Sequence, residues 1–267
     1  MDAFDVASEL AQLHARAGLA APFTTRDPGF TPTSGYAAAR QLHAQRREAG
    51  WQPVGRKIGF TNRSIWPRYG VYEPIWGTVY DRTLTRATDN RATVSLAGLA
   101  QPRIEPEICF GLKASPPRSK EPADMIAAIE WVAHAVEIVQ CEWPGWQMQV
   151  GDSTAANGLH GALVVGRRIP AGQLKYMSTK LPNLKVVLKK GDTVIDRGMG
   201  SNVLDSPLLA LAHLVEVLAK QTDFPQLAGG EVISTGTMTD AAPVAPGETW
   251  ATEFVGEEFP GLEVRFE

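Results

Sequence analysis

From residue 51 onward the chain is cut into short apolar runs by glycine and proline, at 54–60, 77–80, 104–112, 161–165, 185–188, 231–235 and 263–266. Runs of this length bounded by turn residues predict a β-rich domain. Ahead of them, Val6, Leu10, Leu13 and Ala17 recur at helical spacing in residues 2–18. Residues 34–50 predict a second helix, opened by Thr33 or Ser34 and stopped by Gly50, with a Pro/Thr/Gly loop over 22–33 between the two. Two more helical patterns interrupt the β region. One covers 122–139, where the last residues could already be strand; the other is the amphipathic 207–221. The predicted organisation is α+β: a helical N-terminal segment over residues 1–52, then a β-rich domain over 53–267.

Residues 103–108 read Arg-Ile-Glu-Pro-Glu-Ile. Side chains of an extended chain alternate, so Glu105 and Glu107 share one face while Ile104 and Ile108 share the other. Adjacent carboxylates repel unless a proton or a cation lies between them, and a hard divalent cation with oxygen ligands suits such a pair. A third acid, Glu137, stands inside the apolar run Ala135-Val136-Glu137-Ile138-Val139. A buried carboxylate without a partner is costly. The three glutamates therefore predict a metal site; the alternative is a solvated strand edge with a separate acid nearby.

Lys57 lies in Gly55-Arg56-Lys57-Ile58-Gly59-Phe60, where Arg56 and Lys57 face opposite sides of a strand and one must point inward. A buried lysine beside a metal or an anionic substrate can act as acid or base, because burial lowers its pKa; two surface cations are the alternative. In the turn-rich stretch 143–161, Asp152, Asn157 and His160 are candidates to line a site, with His160 a candidate general base or a structural histidine. His14, His43, His134 and His213 have helical surroundings and read as structural. Ser206 with Pro207 is a helix start that can also hold a carboxylate. Ser234, Thr235 and Gly236 form a strand-to-turn segment whose hydroxyls and N–H groups could bind an anion or simply build the turn. Trp66, Trp76, Trp143 and Trp146 either line a pocket or pack the core.

A net charge of −3 and a pI near 6.0 give no electrostatic case for nucleic acid. No continuous apolar run approaches the roughly 20 residues of a membrane span. The N-terminus lacks the basic start and apolar stretch of a signal peptide. Cys109 and Cys141 make neither a disulfide framework nor a zinc cluster; a reducing, cytoplasmic setting is the expectation, and a lone disulfide between them is the alternative. No Ser-His-Asp order, P-loop or GxGxxG is present.

Taken in order, Gly55-Arg-Lys-Ile-Gly-Phe-Thr61, Glu73-Pro74 with Gly77, Ile104-Glu-Pro-Glu-Ile108, Glu137-Ile-Val139, Trp146, Asp152, Asn157, Gly200 with Asn202 and Pro207, and Ile233-Ser-Thr-Gly-Thr237 resemble the 2-keto-4-pentenoate hydratase/4-oxalocrotonate decarboxylase family of the fumarylacetoacetate hydrolase superfamily. Each motif is weak alone, but the ordered set covers nearly the whole chain. The resemblance implies a mixed β-roll of the fumarylacetoacetase C-terminal type. It implies Mg²⁺ or Mn²⁺ held by Glu105, Glu107 and Glu137, with Lys57 as the proton-transfer residue and Asn157, Ser234, Thr235 and Gly236 near the substrate. The expected substrate is a small 2-oxo acid or 2-hydroxydienoate of meta-cleavage aromatic catabolism. A homo-oligomer is expected too.

The chain departs from the family pattern at two places. Pro74-Ile75-Trp76-Gly77 stands where family hydratases carry an Asp after the Pro, and Ala156-Asn157-Gly158-Leu159 stands where the family reads Asp-Asn-Ala-Ser. The metal set is intact while the proton-handling set is altered, and His160 is the expected replacement for the missing acid–base function. The leading reading is a metal-dependent hydratase or decarboxylase. An acylpyruvate C–C hydrolase is the second reading, for which His14 and Glu9 are the only nearby candidates for a water-activating pair. A non-catalytic 2-oxo acid binding subunit is the third.

Overall fold

A computed structural model describes residues 1–63, 66–69, 71–256 and 259–267. Three helices, α1 (Ala3–Ala15), α2 (Phe23–Arg26) and α3 (Pro32–Glu48), precede strand β1 (Pro53–Gly59). Then follow α4 (Trp66–Tyr69), β2 (Ile75–Tyr80), β3 (Leu84–Arg86), β4 (Arg91–Val94), β5 (Arg103–Leu112), α5 (Pro122–Ala128) and β6 (Ile129–Val139). The middle of the chain holds α6 (Val150–Ala155), β7 (His160–Val165), β8 (Ile169–Pro170), α7 (Met177–Asn183), β9 (Lys185–Lys190) and β10 (Thr193–Met199). It closes with α8 (Pro207–Lys220), β11 (Val232–Thr237), β12 (Ala242–Pro243), β13 (Thr249–Phe254) and β14 (Glu263–Phe266).

The strands form two sheets. The larger runs β2-β1-β11-β5-β6-β7-β3, with β12 beside β5 and β8 beside β6; the smaller runs β10-β9-β13-β14-β4. The larger sheet curls until its two ends meet. There Asn157 Oδ1 accepts from Thr78 N (2.7 Å) and Asn157 Nδ2 donates to the Thr78 carbonyl (2.9 Å). Gly77 permits that closure, because a Cβ at this position would lie 2.0 Å from the Asn157 carbonyl oxygen.

The alternation of β5 decides what faces the curl. Ile108, Phe110 and Leu112 point outward into the core made with α8, where Leu208, Leu211, Leu214 and Leu218 are buried. Ile104 packs with Trp250 and Phe266 of the smaller sheet. Glu105 and Glu107 share the other face with Cys109, which packs inside the curl with Val79, Ala133, Ala135 and Leu163.

Several sequence expectations need correction. Residues 122–139 are helical only to Ala128 and continue as the long strand β6, because a fully buried strand shows the same continuous apolar run as a buried helix. The second helix begins at Pro32, not Ser34: Thr31 caps it, accepting from Ser34 N at 3.3 Å and completing a capping box. The expected 22–33 loop contains α2. The stretch Gly200–Lys220 is long and apolar enough by length and composition to cross a membrane, but it is no continuous apolar run; 67% of its most apolar 18-residue window is buried within the protein, where Pro207–Lys220 is the core helix α8.

The N-terminal helices do not stand apart. Val6, Leu10, Phe23 and Leu42 share one apolar cluster with Trp143, Ala155 and Leu159. Asp152 is fully buried and ties this junction, accepting from Thr24 N (3.1 Å), Thr24 Oγ1 (2.6 Å) and Gln149 N (2.9 Å). Its place is structural: it fastens the segment after α1 to α6.

Candidate metal centre and substrate cavity

Strands β5 and β6 pair antiparallel with Glu105 opposite Glu137 and Glu107 opposite Ala135. Directly opposed residues project to the same face. That register gathers one carboxylate oxygen from each of Glu105, Glu107 and Glu137 to within 4.8 Å of one another. Glu107 and Glu137 are fully buried, and Glu105 keeps an edge open to a cavity.

Each buried carboxylate is fixed by donors on one oxygen. Glu107 Oε2 accepts from Ser234 Oγ (2.6 Å) and Gly236 N (2.8 Å). Gly236 has φ +103°, and a Cβ there would lie 2.0 Å from Thr61 Oγ1, so glycine is required to aim that N–H. Glu137 Oε1 meets His160 Nδ1 at 2.7 Å. Glu137 Oε2 lies 3.1 Å from Lys57 Nζ without hydrogen-bond alignment, and Lys57 Nζ donates to the Gly158 carbonyl at 2.9 Å.

Two buried oxygens, Glu107 Oε1 and Glu137 Oε2, therefore lack a hydrogen-bond donor. In a native protein such groups are exceptional. An all-carboxylate set with free oxygen lone pairs fits a hard divalent cation such as Mg²⁺ or Mn²⁺. In the absence of the ion, burial pushes Glu105 and Glu107 up to about 8, repulsion from neighbouring carboxylates adds to it, and Lys57 opposes it. Glu137 is raised for the same first reason. Burial alone would lower Lys57, as the sequence suggests, but Glu137, Glu105 and Glu107 outweigh it and hold the ammonium above its ordinary value.

His160 is buried with both ring nitrogens engaged, Nε2 lying 2.8 Å from Thr83 Oγ1. Burial, with Lys57 and Arg46, holds its pKa well below the ordinary value. A neutral ring beside an ionised Glu137 donates from Nδ1, which leaves Nε2 as an acceptor for the Thr83 hydroxyl, whose one proton is shared with the Tyr80 carbonyl at 3.1 Å.

The cavity measures ≈ 360 Å³. Lys57, Glu105, Arg103 and Asp240 are its charged lining residues, and Phe60, Ile75, Val139 and Leu159 are apolar ones. Gly236 and Thr237 also line it, whereas Ser234, Thr235 and Asn157 do not. Ser234 reaches Glu107, Thr235 Oγ1 donates to the Ile108 carbonyl (2.8 Å), and Asn157 closes the sheet. Of the four tryptophans singled out, Trp146 lines the cavity, and Trp143 and Trp76 are buried in apolar clusters. His14 pairs with Glu142 (2.7 Å) and Glu9 with Arg26, so those two candidates are engaged separately.

Arg103, Thr61 and Met148 line the cavity without having been singled out. For Arg103 a signal existed: it stands one strand period before Glu105 and so shares its face.

No family model matches the chain. Over 230 residues it is 30% identical to the 4-oxalocrotonate decarboxylase of a Pseudomonas species, covering 86% of each chain. Over 233 residues it is 32% identical to the 2-hydroxyhexa-2,4-dienoate hydratase of Comamonas testosteroni, covering 85% of this chain and 84% of that one. Its fold is similar to that of the 4-oxalocrotonate decarboxylase from Pseudomonas putida G7 complexed with magnesium and adipate, with a TM-score of 0.90, 25% identity, and 99% and 97% of the two chains covered.

Proposed function

Given that the chain belongs to the 2-keto-4-pentenoate hydratase/4-oxalocrotonate decarboxylase family, and so is a metal-dependent lyase of small 2-oxo acids or 2-hydroxydienoates, we propose that its reaction is decarboxylation. The substrate class is a 2-oxo diacid in which an alkene links the C2 carbonyl to the carbon carrying the far carboxylate. The observation that carries this reading is Ile75. It is buried, lines the cavity, and stands where family hydratases carry an acid to handle water. Asp240, another acid lining the cavity, is exposed to solvent.

Glu105, Glu107 and Glu137 would hold Mg²⁺ or Mn²⁺, which supplies positive charge where the C2 oxygen becomes anionic. The bond to the far carboxylate breaks. Its electron pair moves through the alkene to the C2 oxygen, and neutral CO₂ leaves. The apolar lining favours that step, since it solvates a carboxylate poorly and CO₂ well. Lys57 Nζ holds the proton that the dienolate takes up. His160 acts by holding Glu137 in place and not by exchanging protons with substrate.

The test is incubation of the Mg²⁺-loaded protein with 4-oxalocrotonate and, separately, with a 2-hydroxydienoate, reading CO₂ release and product mass. CO₂ release from the diacid with no water gain by the dienoate is the expected result. Water addition without CO₂ release would make the protein a hydratase.

The finer architectural reading is that the curled sheet is a β-roll of the fumarylacetoacetase C-terminal type, with residues 53–267 as the catalytic domain and 1–52 packed on it. By family resemblance the protein is a cytoplasmic homo-oligomer. Light scattering that gave a monomer mass, or recovery in another cell fraction, would overturn the corresponding part.

A further inference from the structure

Arg103 is a cation lining the cavity with no anion assigned to it. Among the described residues its guanidinium makes no ion pair or hydrogen bond and acts on Glu105 only at a distance, whereas Lys57, the other cation in the lining, faces Glu137. Its guanidinium carbon sits 4.3 Å from the centroid of the Trp146 ring. Trp146 is itself held, donating from Nε1 to the Gln101 carbonyl at 3.2 Å. Gln101 fastens the same loop through the Cys141 and Trp143 carbonyls and Gly145 N, at 2.8, 2.7 and 2.9 Å. A guanidinium stacked on an aromatic face keeps its N–H edges for a carboxylate, and the stacking removes much of the rotamer entropy of binding.

The position of Arg103 tells which carboxylate it meets. It stands two residues from Glu105 on the same face of β5, about 7 Å along the strand. Ile75 is on β2, three strands away in the sheet order β2-β1-β11-β5. The cavity thus has Arg103 and Glu105 on its β5 side and the Ile75 side chain on its β2 side, with Lys57 on β1 between them. A carboxylate bound by a guanidinium is stabilised as an anion and gives up CO₂ reluctantly; one against an apolar wall is not.

We infer that Arg103 binds the C1 carboxylate that stays, beside the metal, and thereby sets the direction in which the diacid lies, with the departing carboxylate toward Ile75. This rests on the reading of the site as one for 2-oxo acids. Trp146 is the platform that presents the guanidinium.

Calorimetry of the Mg²⁺-loaded protein tests it with 2-oxobutanoate, which has the C1 end alone, and 2-oxoadipate, which has both ends. Arg103→Met should weaken both ligands by about tenfold to a hundredfold, the size of a lost charge-assisted pair, while Mn²⁺ affinity stays within about threefold. Arg103→Lys should recover part of the loss, and Arg103→Gln carries the same test if the Met variant does not fold. An unchanged 2-oxobutanoate affinity, or a loss confined to 2-oxoadipate, would overturn the inference. The readout is binding, so it stands whether or not the wild type releases CO₂.

Discussion

His160 Nδ1 lies 2.7 Å from Glu137 Oε1 while Thr83 Oγ1 holds its other nitrogen at 2.8 Å. The imidazole is a fixed strut between a backbone turn and a carboxylate of the candidate metal triad. Partners of this kind typically change metal affinity about 10- to 100-fold when removed. His160→Leu should weaken Mn²⁺ binding by that factor, and His160→Asn, which can place an amide N–H near Nδ1, should restore part of it. Isothermal titration with Mn²⁺ measures both. Unaltered affinity in the Leu variant would rule out the strut.

Ile75→Asp should cost decarboxylation more than tenfold, since a carboxylate would now face the departing one. It should also raise water addition to a 2-hydroxydienoate, by up to the ~100-fold that a well-placed acid–base group supplies. Parallel rates on the two substrates show whether both changes occur. A variant that keeps wild-type CO₂ release would place the departing carboxylate elsewhere.

Metal affinity should climb with pH until about 8, because burial holds Glu105 and Glu107 protonated up to that value and the ion must displace those protons. Binding at pH 7 should release protons, seen as a buffer-dependent heat. The linkage sign for the metal-free protein is the reverse of the usual carboxylate case. The folded pKa lies above the unfolded one, so the folded state holds more protons between about 4.5 and 8. The glutamates' contribution to stability is then lost as pH rises through that window. Urea titrations of the metal-free protein at pH 6 and pH 8.5 should show it, and Mg²⁺ should abolish the difference.

His134 behaves oppositely. Its ring is buried between the Glu107 carbonyl (2.9 Å) and Thr252 Oγ1 (2.7 Å), and burial lowers its pKa to about 4. The unfolded chain therefore binds more protons between about 4 and 6.5, and this residue's contribution is lost as pH falls through that range. Because the glutamates oppose it there, the clean measurement is the wild type minus His134→Gln stability difference. That difference should grow from pH 4 to 6.5 and then level off.

What was legible in the sequence was whatever depends on alternation within one strand. Glu105 and Glu107 share a face because the strand has period two; the same period sets Arg56 and Lys57 on opposite faces, but both are buried, and alternation alone does not say which of them meets the glutamates. What was not legible depends on pairing between distant strands. Glu137 was named as the third acid from its place in an apolar run, but that run reads equally as helix, and only its register against β5 shows that it stands opposite Glu105. Arg103 escaped notice because arginine before an acidic pair looks like surface charge until Trp146, brought from beyond β6, is seen beneath it. Asn157 was expected at the substrate, yet its amide matches the two backbone groups of Thr78, a pairing that exists only once the sheet has curled.

If the three glutamates hold the ion as proposed, the facing of Glu105 and Glu137 across β5 and β6 would also make that ion a proofreader of folding. A slip of one residue in that pairing would turn Glu137 away to the other side of the sheet and leave the cation two ligands instead of three. Misthreaded molecules would thus be sorted from native ones by their failure to retain metal, well before any substrate is encountered.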